Sequence, residues 1–485
     1  MSASWRFLDP SALAFALALA ARAAHAEEPT FTSAELTALI ESGQLANAES
    51  VARRSPVWER TAVRSSGREN LLRLRASRAD VGVWQAVDTR AELRFELAPG
   101  WGEGSAAPRL RDLSSFVGVA VALGRARCEL RAFPFDTDYL RVGWLHTLDW
   151  GGTDRAGRES VFLTQSGPAP GFELTWLFPR LRLFSALKWA EAPRDRGASE
   201  RLWGALGGGN WDILHELRLD AGFGYFQRPR ASAPRGLVEG APFVEGASLR
   251  LVWHRGPSEP ELAAEPLRAA PLSAEPLSFS AAAEPGAAIA LEAVALVLRQ
   301  RRFEDATAQQ LTWAPAAALS ASFRGRAMAL HAAVTWRSLG FVVRDDTRVA
   351  ADQTLPLAAA ELSELGAWLG GSWTTPLGLV PALELALELP AALRTTSQLD
   401  GYDQTFVAGG SSGFEPLPVG AGRLPVLAAR LSLRLPLSRS VTVSGWLDYV
   451  RDANASRLEV STSGVTRVFA RPDGLRLGAA LQARF

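Results

Sequence analysis

The chain has 485 residues, a formal net charge of +1, 47% hydrophobic residues and a mean hydropathy of +0.02. A balance this close to neutral excludes a strongly basic nucleic-acid binder, and the single cysteine, Cys128, excludes an intramolecular disulfide or a thiolate metal cluster within one chain. Beyond the first residues there is no uninterrupted apolar run of 18 residues, which argues against membrane-spanning helices.

Residues 1–26 have the features of a signal peptide. Arg6 gives the positive start, Ala12 to Ala21 the short apolar run, and Ala24-His25-Ala26 the small-x-small pattern of a peptidase site. The run is too short to cross about 30 Å of hydrocarbon as a helix. Cleavage near Glu27 is therefore expected.

Residues 27–80 are expected to form a short helical periplasmic extension or linker. Thr32 and Glu35 fit a capping box, and Leu36, Leu39 and Ile40 recur at helical spacing. Gly43 would stop that helix, with a second over Leu45 to Arg54. The arginines that follow, from Arg53 to Arg78, leave too little apolar surface for a separate core, so a tether or a lumen plug stands beside a plain linker.

From residue 81 to 485 the dominant period is two. Leu383, Leu385, Leu387 and Leu389 alternate with Glu384, Ala386 and Glu388; Leu431, Leu433 and Leu435 alternate with Arg430, Ser432 and Arg434. Leu217, Leu219, Ala221, Phe223 and Tyr225 alternate with Glu216, Arg218, Asp220, Gly222 and Gly224, and Val443, Leu447 and Tyr449 with Ser444, Trp446 and Asp448. Helical spacing would scatter these charges around a cylinder, whereas strand spacing puts each set on one face. One stretch changes phase: the apolar set moves from Val117, Val119, Val121 and Leu123 to Ala126, Cys128, Leu130 and Ala132. A bulge at Gly124 supplies the extra residue, with a tight hairpin as the alternative.

Turn-rich breaks then give about sixteen strands, within a range of 14 to 18: 88–99, 115–133, 138–150, 171–178, 180–190, 211–226, 243–254, 275–284, 287–300, 313–323, 326–337, 360–373, 377–389, 426–435, 440–451 and 473–485. Short connections alternate with long ones, except that 227–242 is long where a short turn is expected. Trp144, Trp150, Trp176, Phe178, Trp189, Trp203, Trp211, Trp253, Trp313, Trp336 and Trp373 fall near strand ends, where membrane-interface girdles sit. The expected fold is therefore all-β, a transmembrane antiparallel β-barrel with a greasy outer face and a wet lumen. A soluble sandwich would need a second sheet over the apolar face and protection for its edges.

The stretch Leu475 to Phe485, alternating apolar residues closed by an aromatic, resembles the last strand of bacterial outer-membrane β-barrels. With the signal segment and the loop asymmetry, the chain after residue 80 resembles the porin-like barrels as a class. The resemblance implies location in the outer membrane of a Gram-negative bacterium, among outer-membrane lipid, after delivery by the barrel assembly machinery through the strand ending in Phe485. It implies diffusion through the outer membrane and identifies no substrate; the strand number, which leaves an aqueous lumen, gives the expectation of a channel for small hydrophilic solutes, compatible with a homo-oligomer, and no cofactor, metal or nucleic acid is expected. A structural or surface-binding barrel with a plugged lumen is the alternative.

Porins of about sixteen strands often fold their third outer loop into the lumen. On this count that loop is 191–210, and Glu191, Arg194, Asp195, Arg196, Glu200 and Arg201 would line a constriction, against the plainer reading of a solvated surface loop. Glu384, Glu388, Arg430, Arg434, Asp448 and Arg476 are expected to face the lumen, together with Arg484.

A barrel-embedded hydrolase is the remaining alternative. Gly409-Gly410-Ser411-Ser412-Gly413 matches a nucleophile elbow, but Pro416 and Pro418 deny it the helix that must follow. His146, His215, His254 and His331 stand alone in their segments, without metal-ligand spacing. Asp400-Gly401-Tyr402-Asp403 is too poor in carboxylates for a calcium loop.

Overall fold

The alternation of the sequence becomes strands in the computed structural model. It describes residues 33–46, 70–79, 87–98, 109–112, 115–135, 140, 142–146, 148, 169–193, 199–227, 243–256, 285–301, 309–343, 360–396, 403–409, 413–438, 441–461 and 464–484. The first strands are β1 (Ser33–Ala46), β2 (Asn70–Ala79), β3 (Val87–Ala98), β4 (Arg109–Asp112), β5 (Phe116–Leu123), β6 (Ala126–Phe133), β7 (Gly171–Leu177), β8 (Leu181–Pro193) and β9 (Ser199–Leu214). There follow β10 (Leu217–Gln227), β11 (Phe243–Arg255), β12 (Gly286–Arg301), β13 (Gln309–Arg324), β14 (Met328–Arg337), the short helix α1 (Leu339–Val343), β15 (Ala360–Leu362), β16 (Glu364–Trp373) and β17 (Val380–Leu389). The last are β18 (Ala392–Thr396), β19 (Asp403–Gly409), β20 (Gly413–Pro416), β21 (Val426–Pro436), β22 (Val441–Asp452), β23 (Ser456–Ser461), β24 (Gly464–Phe469) and β25 (Asp473–Arg484).

Every ladder is antiparallel. Pairing runs from β1 through β2 and β3, then β5 to β14 in order, then β16, β17, β21, β22 and β25, which pairs back to β1. This is a ring of eighteen strands, a barrel without edges. β4 extends the β5 side of the β3 ladder. Outside the ring, β15, β18, β19 and β20 form a four-stranded sheet, and β23 pairs with β24.

The outer and inner faces are sorted in the inverse of a soluble protein. On β17, Leu383, Leu385 and Leu387 are 46–49% exposed, while Glu384 and Glu388 between them are at most 9% exposed. Leu427, Leu431 and Leu433 repeat the pattern around buried Arg430 on β21, as do Leu249, Leu251 and Trp253 around Arg250 on β11. Trp176, Phe178, Trp203, Trp211, Trp253, Trp313, Trp336 and Trp373 are all exposed, close to the rims. On β13, Trp313 and Phe323 mark the two rims. At ~3.3 Å per residue and a tilt of ~40° they stand about 25 Å apart along the barrel axis, the height of an outer-membrane apolar band.

Several expectations need correction. Ser33–Ala46 is a strand, not a helix: it has β2 on one side and β25 on the other, and Leu36, Ala38 and Ile40 stand opposite Leu74, Leu72 and Asn70. A short helical periodicity yields to two neighbouring strands that satisfy its backbone on both edges. At Gly124 the chain makes a hairpin, not a bulge: Leu123 pairs with Ala126, and Gly124 takes φ +64°, which a two-residue turn of this hand demands. Within the expected strand 138–150, the described residues Leu140, Val142 to His146 and Leu148 form an inward segment instead. Residues 191–210 are mostly ladder, because β8 and β9 pair from Leu181↔Trp211 to Pro193↔Ser199.

Gly207-Gly208-Gly209 lies within β9 and not in a loop. A Cβ on Gly208 would stand 2.5 Å from Ala221 O and 2.8 Å from Phe184 Cε1, so glycine is what lets the neighbours approach. The expected strand 275–284, Trp150, and the signal segment 1–26 lie outside the described residues. With eighteen strands the connection 228–242 falls on the long-connection side, and the exception passes to the long connection between β11 and β12, residues 256–285, which falls on the side of the short turns. The turn at Gly124, those at 178–180, 215–216 and 325–327, and both ends of the ring lie on that same side.

Candidate functional site: the lumen and its inward segment

Between β6 and β7, Leu140, Val142 to His146 and Leu148 leave the wall and enter the barrel. Val142 and Leu148 bridge each other through two backbone hydrogen bonds of 3.0 and 2.6 Å, closing a miniature hairpin. Gly143 takes φ +94° at its tip, where a Cβ would come within 2.2 Å of His146 O. The tip exposes two amide donors, and one carboxylate takes both: Trp144 N–H and Leu145 N–H donate to Glu292 Oε1 and Oε2 on β12 at 2.6 and 2.7 Å.

Three further contacts hold the segment to the same wall. Lys188 Nζ on β8 donates to Leu140 O at 3.0 Å, His146 Nε2 meets Ala317 O on β13 at 3.1 Å, and the Arg250 guanidinium lies 4.4 Å from the Trp144 ring centre. Trp144, expected in a rim girdle, is thus a lumen residue. His146 also stands edge-on to Phe341 of α1 at 5.6 Å. The wall is hollowed to receive the segment. A Cβ on Gly222 of β10 would lie 2.2 Å from Val142 Cγ1, and one on Gly246 of β11 would lie 2.7 Å from Leu148 Cδ1. Leu140, Val142 and Leu148 join Phe184, Leu296, Ala314, Ala316 and Phe341 in one buried apolar cluster.

The opposite wall is layered by register. Ala333, Trp368, Ala386, Ala428 and Val450 share one row across β14, β16, β17, β21 and β22, an apolar layer against which Leu145 packs. One step toward the short turns lies a charged row, His331, Gly370, Glu384, Arg430, Asp448 and Arg476. His331 Nε2 reaches Glu384 Oε1 at 3.8 Å, across Gly370, where any Cβ would meet the imidazole at 2.1 Å. Arg430 forks onto Asp448, with Nη2 donating to Oδ2 at 2.7 Å and Nε to Oδ1. One step toward the long connections lie Thr335, Gly366, Glu388, Val426 and Asp452, followed by the Arg337–Glu364 pair, with Arg337 Nε donating to Glu364 Oε1 at 2.6 Å.

The wall under the segment carries its own pairs. Arg131 Nε donates to Glu129 Oε1 at 2.5 Å, Arg182 approaches Glu173 at 3.9 Å, and Arg218 Nε donates to Asp220 Oδ1 at 2.9 Å, with Arg250 3.7 Å from the other oxygen. Charges of both signs therefore line the inner face, and neighbouring strands are cross-linked by them.

Of the residues expected at the lumen, Glu384, Glu388, Arg430 and Asp448 are buried inside the barrel, and Arg434 is half-buried in the same strand as Arg430. Arg476 stands opposite Asp448 in register. The backbone of Arg484 pairs with Glu35. The residues expected at a constriction stand elsewhere. Glu191 and Arg201 are register partners with side chains 59% and 62% exposed, 3.5 Å apart, on the outward face that also carries Trp203. Glu200 pairs in the same hairpin, and Arg194, Asp195 and Arg196 lie outside the described residues.

The segment that turns inward was missed because Leu140, Val142 and Leu148 mimic strand alternation. Only Gly143, in a stretch where a strand has no use for it, betrayed a turn. Gly409 and Gly413 pair as the ends of β19 and β20, so the Ser411 motif joins strand to strand and has no helix after it. Asp403 opens β19 and is ion-paired with Arg394.

No protein-family model and no curated sequence matches the chain. Among solved structures, it is similar to OccD3 (OpdP) of Pseudomonas aeruginosa, with a TM-score of 0.46 at 10% identity over 94% of this chain and 92% of that one. It is similar to the anion-selective porin from Comamonas acidovorans, with a TM-score of 0.39 at 11% identity over 94% and 99%. Escherichia coli Wzi, a carbohydrate-binding β-barrel involved in group 1 capsule assembly, gives 0.42 at 10% identity over 93% and 84%. These likenesses follow the general course of the chain only, and no residue role is transferred from them.

Proposed function

We propose that the chain is a porin-like channel of a Gram-negative outer membrane, through which small hydrophilic solutes diffuse past the inward segment. The observation that carries this reading is the inversion of the barrel: exposed Leu383, Leu385 and Leu387 alternate on one strand with buried Glu384 and Glu388. Lipid satisfies such an outer face, and an inner face whose opposite charges pair across strands belongs to a polar lumen. An eighteen-stranded ring is wide enough to hold water. Delivery through β25 by the barrel assembly machinery, and any association of copies, belong to the same reading.

Purified protein in a planar bilayer is expected to give stable, stepwise conductance, and the chain is expected to fractionate with outer membranes and migrate faster unheated. A barrel that shows the mobility shift yet stays electrically silent overturns the channel and leaves a plugged barrel. That second reading has an observation of its own, since the inward segment touches both walls.

A further inference from the structure

We infer that Arg182, Asn210, Asp220 and Arg250 bind a file of water molecules along the inner face of β8 to β11. The inference goes beyond the channel reading and holds equally for a plugged barrel.

The four residues form one register row: Arg182 faces Asn210, Asn210 faces Asp220, and Asp220 faces Arg250. Their chain neighbours Leu183, Trp211 and Leu249 are exposed on the outer face, so the row lies on the inner one. Asn210, Asp220 and Arg250 are each at most 5% exposed. Yet, among the described residues, Arg182 Nε, both polar atoms of the Asn210 amide, Asp220 Oδ2 and Arg250 Nη1 have no hydrogen-bond partner. Asp220 Oδ2 stands 3.7 Å from Arg250 Nη1, and Arg182 Nη2 stands 3.9 Å from Glu173 Oε1. Charges attract at such distances, but no hydrogen bond closes. Buried polar groups are rarely left in this condition, and bound water is the usual remedy.

The chemistry of the row selects its guest. Along it a guanidinium donates, an amide donates and accepts, a carboxylate accepts, and a second guanidinium donates. An anion would be opposed by Asp220, and a cation by two guanidiniums. A neutral molecule that both donates and accepts suits every position. Neighbouring strands are only about 4.8 Å apart, so a guest that bridges one gap is the size of water.

The strands are tilted, so the row climbs through the wall. Arg182 is the second residue of β8, beside the short turn 178–180, and its side chain is 13% exposed. Arg250 stands five residues inside the end of β11, with its guanidinium 4.4 Å from the Trp144 ring centre. The file therefore opens at the short-turn mouth and runs beneath Trp144.

The chain carries its own reporter and reference. Asn47, Asn70, Asn210 and Asn454 are its four asparagines. Asn454 is also buried, but its amide is bonded by protein: Nδ2 donates to Leu424 O and Asp452 Oδ1, and Oδ1 accepts from Leu424 N. The full chain, folded in lipid vesicles with 15N-asparagine, is followed by solid-state NMR as magnetisation spreads from water into the side-chain amides. Asn210→Leu assigns the signal by its loss. Should that variant not fold, Asn47→Gln, Asn70→Gln and Asn454→Gln assign it by elimination. The Asn210 amide is expected to take up water magnetisation about five-fold faster than the Asn454 amide. Equal uptake by the two would mean that Asn210 bonds directly to Arg182 and Asp220, and the water file is wrong.

Discussion

Arg430 and Asp448 stand opposite one another on β21 and β22, joined by two charge-assisted hydrogen bonds, with at most 2% of either side chain exposed. Such a pair is worth little over an apolar substitute but is costly to break from one side. Asp448→Ala, which leaves a buried guanidinium, is expected to destabilise the barrel by about 3–5 kcal/mol. The double variant Arg430→Met, Asp448→Leu should recover most of that loss. Urea titration of protein refolded in lipid vesicles measures both. A double variant that loses the sum of what Asp448→Leu and Arg430→Met each lose alone would show that the two residues do not depend on each other.

The outer face makes a prediction that depends on depth. Leu431 is 56% exposed between Arg430 and Ser432, whereas Leu437, 60% exposed, sits in the turn after β21. Arginine at the bilayer midplane of a barrel costs about 2–4 kcal/mol and near an interface about 0–1. Leu431→Arg should therefore depress vesicle refolding strongly and Leu437→Arg scarcely at all. A protein that folds in water would tolerate both alike, so matched refolding yields in lipid would refute the membrane-facing assignment.

The wall of the barrel was legible in the sequence because its period of two is a physical necessity wherever one face is greasy and the other wet. Glu384, Arg430 and Asp448 were expected on the inner face from that alternation alone, and all three are buried. What was illegible depended on residues far apart in the chain. The alternating Leu140, Val142 and Leu148 would serve a strand or an inward strap equally, and Glu292, 148 residues beyond Trp144, decides between them. Gly207 to Gly209 looked like a loop because the side chains that exploit their bareness, Phe184 and Leu183, belong to the preceding strand. The helical spacing of Leu36, Leu39 and Ile40 was real, but the pairing edges of β2 and β25 outweigh a local propensity of a few tenths of a kcal/mol per residue.

Charge at the β8–β9 hairpin should matter little to passage. Glu191 and Arg201 are register partners on the outward face, with side chains 59% and 62% exposed, so they neither narrow nor polarise the lumen. Exchanging them in the double variant Glu191→Arg, Arg201→Glu is expected to change single-channel conductance and ion selectivity by less than about two-fold, since exposed charges act weakly through water and salt. The same exchange should leave stability almost unmoved, as an exposed pair contributes about 0–1 kcal/mol. A large change in the reversal potential across a salt gradient would return these residues to the permeation path.

Removing residues 27–80 separates a wall from a plug. If that stretch were a lumen insert, its loss would leave a closed barrel that conducts more. In the ring, however, β1 and β2 are staves: β25 pairs with β1 from Arg484 to Leu475, and β2 pairs with β3 from Leu72↔Leu97 to Ala79↔Arg90. Deletion would expose the free edges of β25 and β3, each with a row of unsatisfied backbone groups in lipid, where every such group costs several kcal/mol. The deleted chain should thus lose the unheated mobility shift and aggregate, unless β25 and β3 find each other in a smaller ring of sixteen. Sedimentation and gel mobility distinguish these results from the third, in which a fully folded barrel shows only a rise in conductance. That third result would take β1 and β2 out of the wall.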